Sequence, residues 1–203
     1  MSLLETFLKT TYVNVRSKAR TDALHSAILE TLRLNYPEYN EYDFEFEELV
    51  PDEYNGKMRV DILGTNKITG KKIVILCKCN NSNIGKNIYN IASNIIGEAA
   101  RLIGKYSEVK YEKILFISVF PRIAPLFKND GTIRSFDNVK TKYKNRINTS
   151  EILLKQYNGI AEEVNIFYDI ENIYDKKSKK DFSNIVVSNI SRMKLINEPI
   201  WII

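Results

Sequence analysis

The sequence predicts an α/β fold, a mixed central sheet flanked by helices, and three observations predict it. Apolar residues first recur at helical spacing near the N-terminus. Three segments then read as strands in close succession. A long amphipathic helix finally leads into a strand that is apolar nearly throughout, as expected of a strand covered on both faces.

The first helix is expected over Thr21 to Asn35, where Leu24, Ile28, Thr31, Leu32 and Asn35 fall near one face. Thr21 or Asp22 would cap it, and Pro37 lies just beyond its end. "YDFEFEEL" from Tyr42 alternates aromatic and acidic residues, the period-two pattern of a half-exposed strand. "PDEYNGK" is punctuation, with Asn55-Gly56 as the turn signal.

"MRVDIL" from Met58 alternates again, with Met58, Val60 and Ile62 expected on one face and Arg59, Asp61 and Leu63 on the other. "GTNKITGKK" reads as a hairpin connection and "KIVILCKC" as the returning, antiparallel strand. Ile84, Ile88, Ile91, Ile95, Ala99 and Leu102 define the long helix. "KILFISVF" from Lys113 then returns by a crossover, so it is expected parallel to an earlier strand.

Beyond Pro121 the pattern loosens into a polar, basic region up to about Asn148. "TSEILLKQYNG" reads as a capped helix stopping at Gly159, "VNIFYDI" as a strand and "KKDFSNIVVSNISRMKLI" as a last helix. The expectation is one domain over residues 1–203, with a core at about 21–120 and an α-β-α extension over about 121–203.

At 203 residues and 44% hydrophobic, the chain is long enough to bury a substantial core. No stretch reaches the roughly 18 to 20 consecutive apolar residues of a membrane span. The N-terminus lacks a signal peptide's pattern, so a cytoplasmic protein is expected. The two cysteines, Cys77 and Cys79, cannot staple a fold at that spacing, and reduced thiols are the default. Zinc would have only these and His25, which is far off in sequence, so a zinc centre is not expected. The cysteines read as small buried apolar residues.

Net charge is +5, from 30 basic and 25 acidic residues, which suits a polyanionic partner without demanding one. "RSFDNVKTKYKNR" concentrates Arg134, Lys140, Lys142, Lys144 and Arg146 around Phe136 and Tyr143, a candidate phosphate-contact segment. A solvated face is the plainer account of the same run. The apolar C-terminus "EPIWII" reads as core filling rather than a docking edge.

Asp61, a charge on a half-buried strand, needs a partner. Lys78 supplies one account, an ion pair across the hairpin with no catalysis. The order α-β-β-β-α-β, with an aspartate in the second strand and a lysine near the end of the third, supplies another. Over roughly Thr21 to Phe120 it resembles the PD-(D/E)XK nuclease superfamily, which includes restriction endonucleases and archaeal Holliday-junction resolvases.

The resemblance implies a restriction-endonuclease-like fold and a Mg²⁺-dependent DNA endonuclease, with Mn²⁺ as a substitute cation. It also implies duplex or branched DNA as substrate and a homodimer as the assembly. It maps the acidic position onto Asp61 and the acid-x-lysine triplet onto Leu76-Cys77-Lys78. The Cys77 carbonyl would then face the metal, and Asp61 would share a wall with Lys78. Leu76 departs from the pattern, because an apolar side chain cannot ligate Mg²⁺.

Some family members take the missing carboxylate from the following helix, where Glu98 lies about 60° from the centre of the apolar face. Asp61, Lys78 and Glu98 are therefore the candidate catalytic residues. Asp61, Cys77 and Glu98 are the candidate metal ligands. Glu30 projects away from its helix's apolar stripe, and Asp52 reads as a turn residue. The competing reading is a nuclease-fold protein without catalysis that binds nucleic acid or a protein partner.

Overall fold

The computed structural model describes residues 7–8, 18–52, 56–81, 83–103, 110–139, 141–142, 155–157, 159–170 and 193–196. The element order begins with α1 (Lys18–Asn35), a 3₁₀ turn (Pro37–Glu41), β1 (Tyr42–Pro51), β2 (Lys57–Asn66) and β3 (Lys72–Cys79). It continues with α2 (Ile84–Ile103), β4 (Tyr111–Pro121), β5 (Ile123–Phe127), β6 (Ile133–Asn138), β7 (Ala161–Ile170) and β8 (Met193–Ile196). The α-β-β-β-α-β order is thus present, in a six-stranded sheet ordered β1-β2-β3-β4-β7-β8. The mixed α/β architecture is compatible with a restriction-endonuclease-like fold. No described helix is long and apolar enough to cross a membrane.

Helix α1 begins at Lys18, upstream of the expected cap, because Lys18, Ala19 and Arg20 are all good helix formers. Its Leu24, Ala27, Ile28, Leu29 and Leu32 are buried at helical spacing against one face of the sheet, with Ile75, Cys77, Leu115, Ile117 and Val119. Helix α2 covers the other face. There Ile95, Ala99 and Leu102 join Val74, Leu76, Ile114 and Phe116. Successive β3 residues alternate between these two layers, as a strand covered on both sides must.

The β2–β3 hairpin is held by Asn66, whose side-chain oxygen accepts from the Ile68 and Thr69 amides at 3.0 and 2.9 Å. The α2 crossover then makes β3 and β4 parallel, from Lys72↔Tyr111 to Cys79↔Val119. Strand β7 adds in parallel on the far side of β4.

Two parts of the extension differ from expectation. The basic region contains an antiparallel hairpin, β5–β6, turning at Asp130-Gly131. Residues Met193–Ile196 are a strand rather than the end of a helix, pairing antiparallel with β7 from Phe167↔Ile196 to Ile170↔Met193. The physical reason is the outer edge of β7, whose backbone groups need partners that a strand supplies and a helix does not. The rest of that expected helix lies outside the described residues, as does the "EPIWII" terminus. Of the helix expected before Gly159, Lys155 is helical, residues 149–154 lie outside the described set, and Gly159 takes the left-handed φ of 71° common at helix ends.

Two glycines of α2 make opposite predictions. A Cβ on Gly97 would meet nothing within 4 Å, so Gly97→Ala should stabilise by about 0.5–1 kcal/mol through helix propensity. A Cβ on Gly85 would stand 2.3 Å from Asp137 Oδ2 and 3.0 Å from Lys142 Nζ, where β6 docks on the start of the helix. Gly85→Ala should therefore cost about 1–2 kcal/mol despite the same propensity gain. Urea unfolding of the two variants tests this, and equal signs would show that the docking is not as described.

Candidate functional site

Strands β2 and β3 pair only from Ile62↔Ile75 to Thr65↔Lys72. The next pair in that register, Asp61 opposite Leu76, does not form. Strand β2 stays with β1 down to Pro51↔Lys57, while β3 stays with β4 up to Cys79↔Val119, so the sheet forks. A forked sheet leaves backbone amides to be satisfied some other way. The Cys77 amide donates to Asp61 Oδ2 at 2.6 Å, which places that carboxylate in the mouth of the fork.

The alternation expected along β2 also breaks here. Met58 and Val60 pack in the α2 layer, but Ile62 packs in the α1 layer and Leu63 returns to the α2 layer. Strand β1 changes phase with it, since Val50 lies in the α2 layer and Phe44 against the α1 layer. The cause sits between them. Glu47 has a left-handed φ of 59°, and the pair it would make with Asp61 is missing from an otherwise continuous register.

The slip brings both carboxylates to one buried imidazole. Asp61 Oδ1 lies 3.7 Å from His25 Nε2, and Glu47 Oε1 lies 3.5 Å from His25 Nδ1. Arg59 Nη1 stands 3.7 Å from the other Glu47 oxygen. His25 is fully buried on α1 and stacks on the Phe46 ring, with centroids 6.3 Å apart and planes inclined by 11°. Neither ring nitrogen has a hydrogen-bond partner among the described residues. One ligating atom each of His25, Asp61 and Cys77 lies within 4.8 Å of the others. Burial, reinforced by the Asp61 charge, pushes the Cys77 thiol well above its ordinary pKa, which keeps it protonated at neutral pH in the absence of a cation.

On the other layer Lys78 Nζ is 3.3 Å from Glu98 Oε1. Glu98 therefore does turn toward the sheet, and the ion pair formed by Lys78 is with it rather than with Asp61. Lys78, Ser118 and Asn165 stand side by side on β3, β4 and β7. Ser118 Oγ and Glu98 Oε2 are buried without a hydrogen-bond partner among the described residues. Leu76, 2% exposed, points into the same layer among apolar neighbours. Asp61 and Lys78 thus face different layers and do not share a wall.

No protein-family model matches the chain, and no match was found among the curated proteins. Among solved structures, the type IIG restriction endonuclease BpuSI is similar over 82% of this chain and 18% of that one, at 14% identity and a TM-score of 0.28. The chain therefore spans less than a fifth of the protein it is compared with.

Mg²⁺ asks for six oxygen ligands at 2.0–2.1 Å in near-octahedral geometry. Around Asp61 the nearest side-chain donors are an imidazole nitrogen and a thiol sulfur, while Glu98 lies on the opposite layer, tied to Lys78. In this arrangement the residues do not fit Mg²⁺, and Mn²⁺ shares its preference for oxygen.

Of the basic segment, Arg134 is exposed on β6. Lys142 pairs with the buried carboxylate of Asp137, which makes it a docking residue of the hairpin. Lys140, Lys144 and Arg146 lie outside the described residues. Glu30 is half-buried on α1, and the α1 residue that faces the fork is His25. Asp52 does hold its turn, accepting from the Gly56 amide at 3.0 Å, but it is also a buried partner of Arg101 on α2. His25 is the site residue that the sequence reading set aside. Its signal was present, since it shares the spacing of Ile28, Leu29 and Leu32 and so places a titratable ring on an apolar stripe.

Proposed function

We propose that the chain is a DNA endonuclease that hydrolyses phosphodiester bonds in duplex or branched DNA, working with a divalent cation and as a homodimer. The observation that carries this reading is the forked β2–β3 pair. An aspartate stands in its mouth, and a lysine–glutamate pair lies one residue further along β3, within the α-β-β-β-α-β order.

The chain's own residues have definite work in such a reaction. Lys78, 36% exposed at its side chain, is placed to neutralise charge building on a phosphoryl oxygen. Glu98, with one oxygen on Lys78, holds that ammonium in place, and its second, buried oxygen would act as a base only if it turned toward the fork. Asp61 holds the fork open through the Cys77 amide. Because the donors at Asp61 do not fit Mg²⁺, no step is assigned to that ion. Arg134 would add a phosphate contact from the hairpin.

The test is cleavage of plasmid, single-stranded and branched DNA under titration with Mg²⁺, Mn²⁺, Co²⁺ and Zn²⁺. Cleavage that disappears in Asp61→Ala and in Lys78→Ala supports the reading. The competing reading, a nuclease-fold protein that binds without cutting, is favoured by one observation: Leu76 fills the α2 layer where a ligand would stand. Metal-independent DNA binding with no cleavage under any of these conditions would establish it instead.

A further inference from the structure

The group made by His25, Asp61 and Cys77 calls for an explanation of its own. A fully buried imidazole has both nitrogens facing carboxylates, at 3.5 and 3.7 Å, beyond the range of normal hydrogen bonds. Buried polar atoms are nearly always satisfied, and leaving two on one ring is costly. A ring held only between its two flanking carboxylates is the metal-free account of these contacts. It leaves the convergence of the thiol on the same point without a reason.

We infer that His25, Asp61 and Cys77 form a binding site for a borderline transition-metal cation of the Zn²⁺ type in the mouth of the β2–β3 fork. The donor set is one nitrogen, one oxygen and one sulfur, which suits zinc and cobalt and is foreign to Mg²⁺. Three protein ligands with an open fourth position are the pattern of reactive rather than structural zinc sites. The separations, up to 4.8 Å, close onto one ion with small side-chain movements.

The surroundings are built to orient these ligands. Glu47 faces the second imidazole nitrogen and is itself faced by Arg59, the carboxylate–histidine arrangement that fixes a metal-bound ring. The Cys77 amide holds Asp61 Oδ2 and leaves Oδ1 turned to His25. The left-handed backbone of Glu47 acquires a purpose here, because the slip it causes turns Asp61 toward the α1 layer. On binding, the Cys77 thiol gives its proton to solvent and the thiolate joins the ion. With a neutral imidazole, a thiolate and a carboxylate, the site is then electrically balanced.

This inference rests on the fork geometry and stands whether or not the chain cuts DNA. The test uses the full chain, stripped with a chelator and titrated with Co²⁺ and then Zn²⁺. The expected result is one Co²⁺ per chain, a thiolate-to-cobalt charge-transfer band, displacement by Zn²⁺ and indifference to about a hundredfold excess of Mg²⁺. Cys77→Ser should abolish the band, whereas Cys79→Ser should keep it, since Cys79 Sγ is engaged with Asn81 at 3.4 Å.

Glu47→Gln should weaken binding about 10- to 100-fold with stoichiometry unchanged. His25→Gln should weaken it by more than about 100-fold. A wild-type chain with no charge-transfer band overturns the inference, whatever the variants do. So does a band that follows Cys79, or Mg²⁺ competing on equal terms. A chain that binds cobalt and cleaves nothing would sink the nuclease reading and leave this one intact.

Discussion

Leu76→Glu, which installs the acid that the nuclease resemblance asks for, should lose about 3–5 kcal/mol of stability and gain no cleavage. Leu76 is 2% exposed and packs with Val74, Phe116, Ile95 and Ala99 between β3 and α2. A carboxylate there loses its water and finds no cation of its own, because Lys78, next along the same face, is already paired with Glu98. The new side chain would either take up a proton or push α2 off the sheet, and both outcomes weaken the fold. Leu76→Met keeps the volume and should cost less than about 1.5 kcal/mol, which separates the charge from the packing. Urea unfolding of both variants beside the cleavage assay checks the result. Retained stability with newly acquired Mg²⁺-dependent cleavage would mean that position 76 and Asp61 reach one ion after all.

Position 76 also marks how far the sequence was legible. The two helices and the four strands from α1 to β4 are present in the expected order, because their apolar spacing marks each one as helix or strand. The side of the sheet on which Asp61 emerges was not legible in the same way. A strand's two faces differ by one residue, and a single slip exchanges them. Here the slip depends on Glu47 adopting a left-handed backbone, which no apolar pattern announces in a glutamate. Lys78 and Glu98 escape that ambiguity, because from Ile73 onward β3 keeps an unbroken ladder with β4 and its alternation runs true to Cys79.

His25 shows a different limit. Its place on the apolar stripe was visible, but its partners come from β1, β2 and β3, brought together by the fork. Distance along the chain argued against a shared centre with Cys77, and distance along the chain is not what a sheet preserves. The β5–β6 hairpin was hidden for a simpler reason. Its Asp130-Gly131 turn signal is plain, but the lysines and arginines around it made the segment read only as a polar, basic region. Strand β8 illustrates the ambiguity of short apolar runs, where four residues fit either period.

The site as a whole is therefore two half-sites on opposite layers of one sheet, joined through the backbone of β3. Asp61 touches the Cys77 amide, and the next residue, Lys78, reaches Glu98. A change on one layer would be felt on the other through that strand. The fork has to keep its shape for either half to work, and α2 has to stay on the sheet.

Arg101 and Asp52 hold α2 to the β1–β2 turn, and Arg101→Ala is expected to cost more than Asp52→Ala. Arg101 donates to Asp52 Oδ2 through Nε, at 3.0 Å, and through Nη2, while Asp52 Oδ1 accepts from the Gly56 amide at 3.0 Å. The asymmetry follows from exposure, since the Asp52 side chain is 2% exposed and the Arg101 side chain 37%. Without Arg101, a buried carboxylate loses the counter-charge of that guanidinium, a loss of about 3–4 kcal/mol. Without Asp52, the guanidinium can swing into water, and the loss of about 2 kcal/mol is mostly the turn bond and the pair itself. The double variant should lose less than the sum, because the two changes remove one shared interaction. A double-mutant cycle by urea unfolding measures all three. Losses that simply add, or a larger loss from Asp52→Ala, would show that the pair does not carry the anchoring of α2. A weakened anchor should also reduce whatever activity depends on Glu98, which rides on the same helix one turn before Arg101.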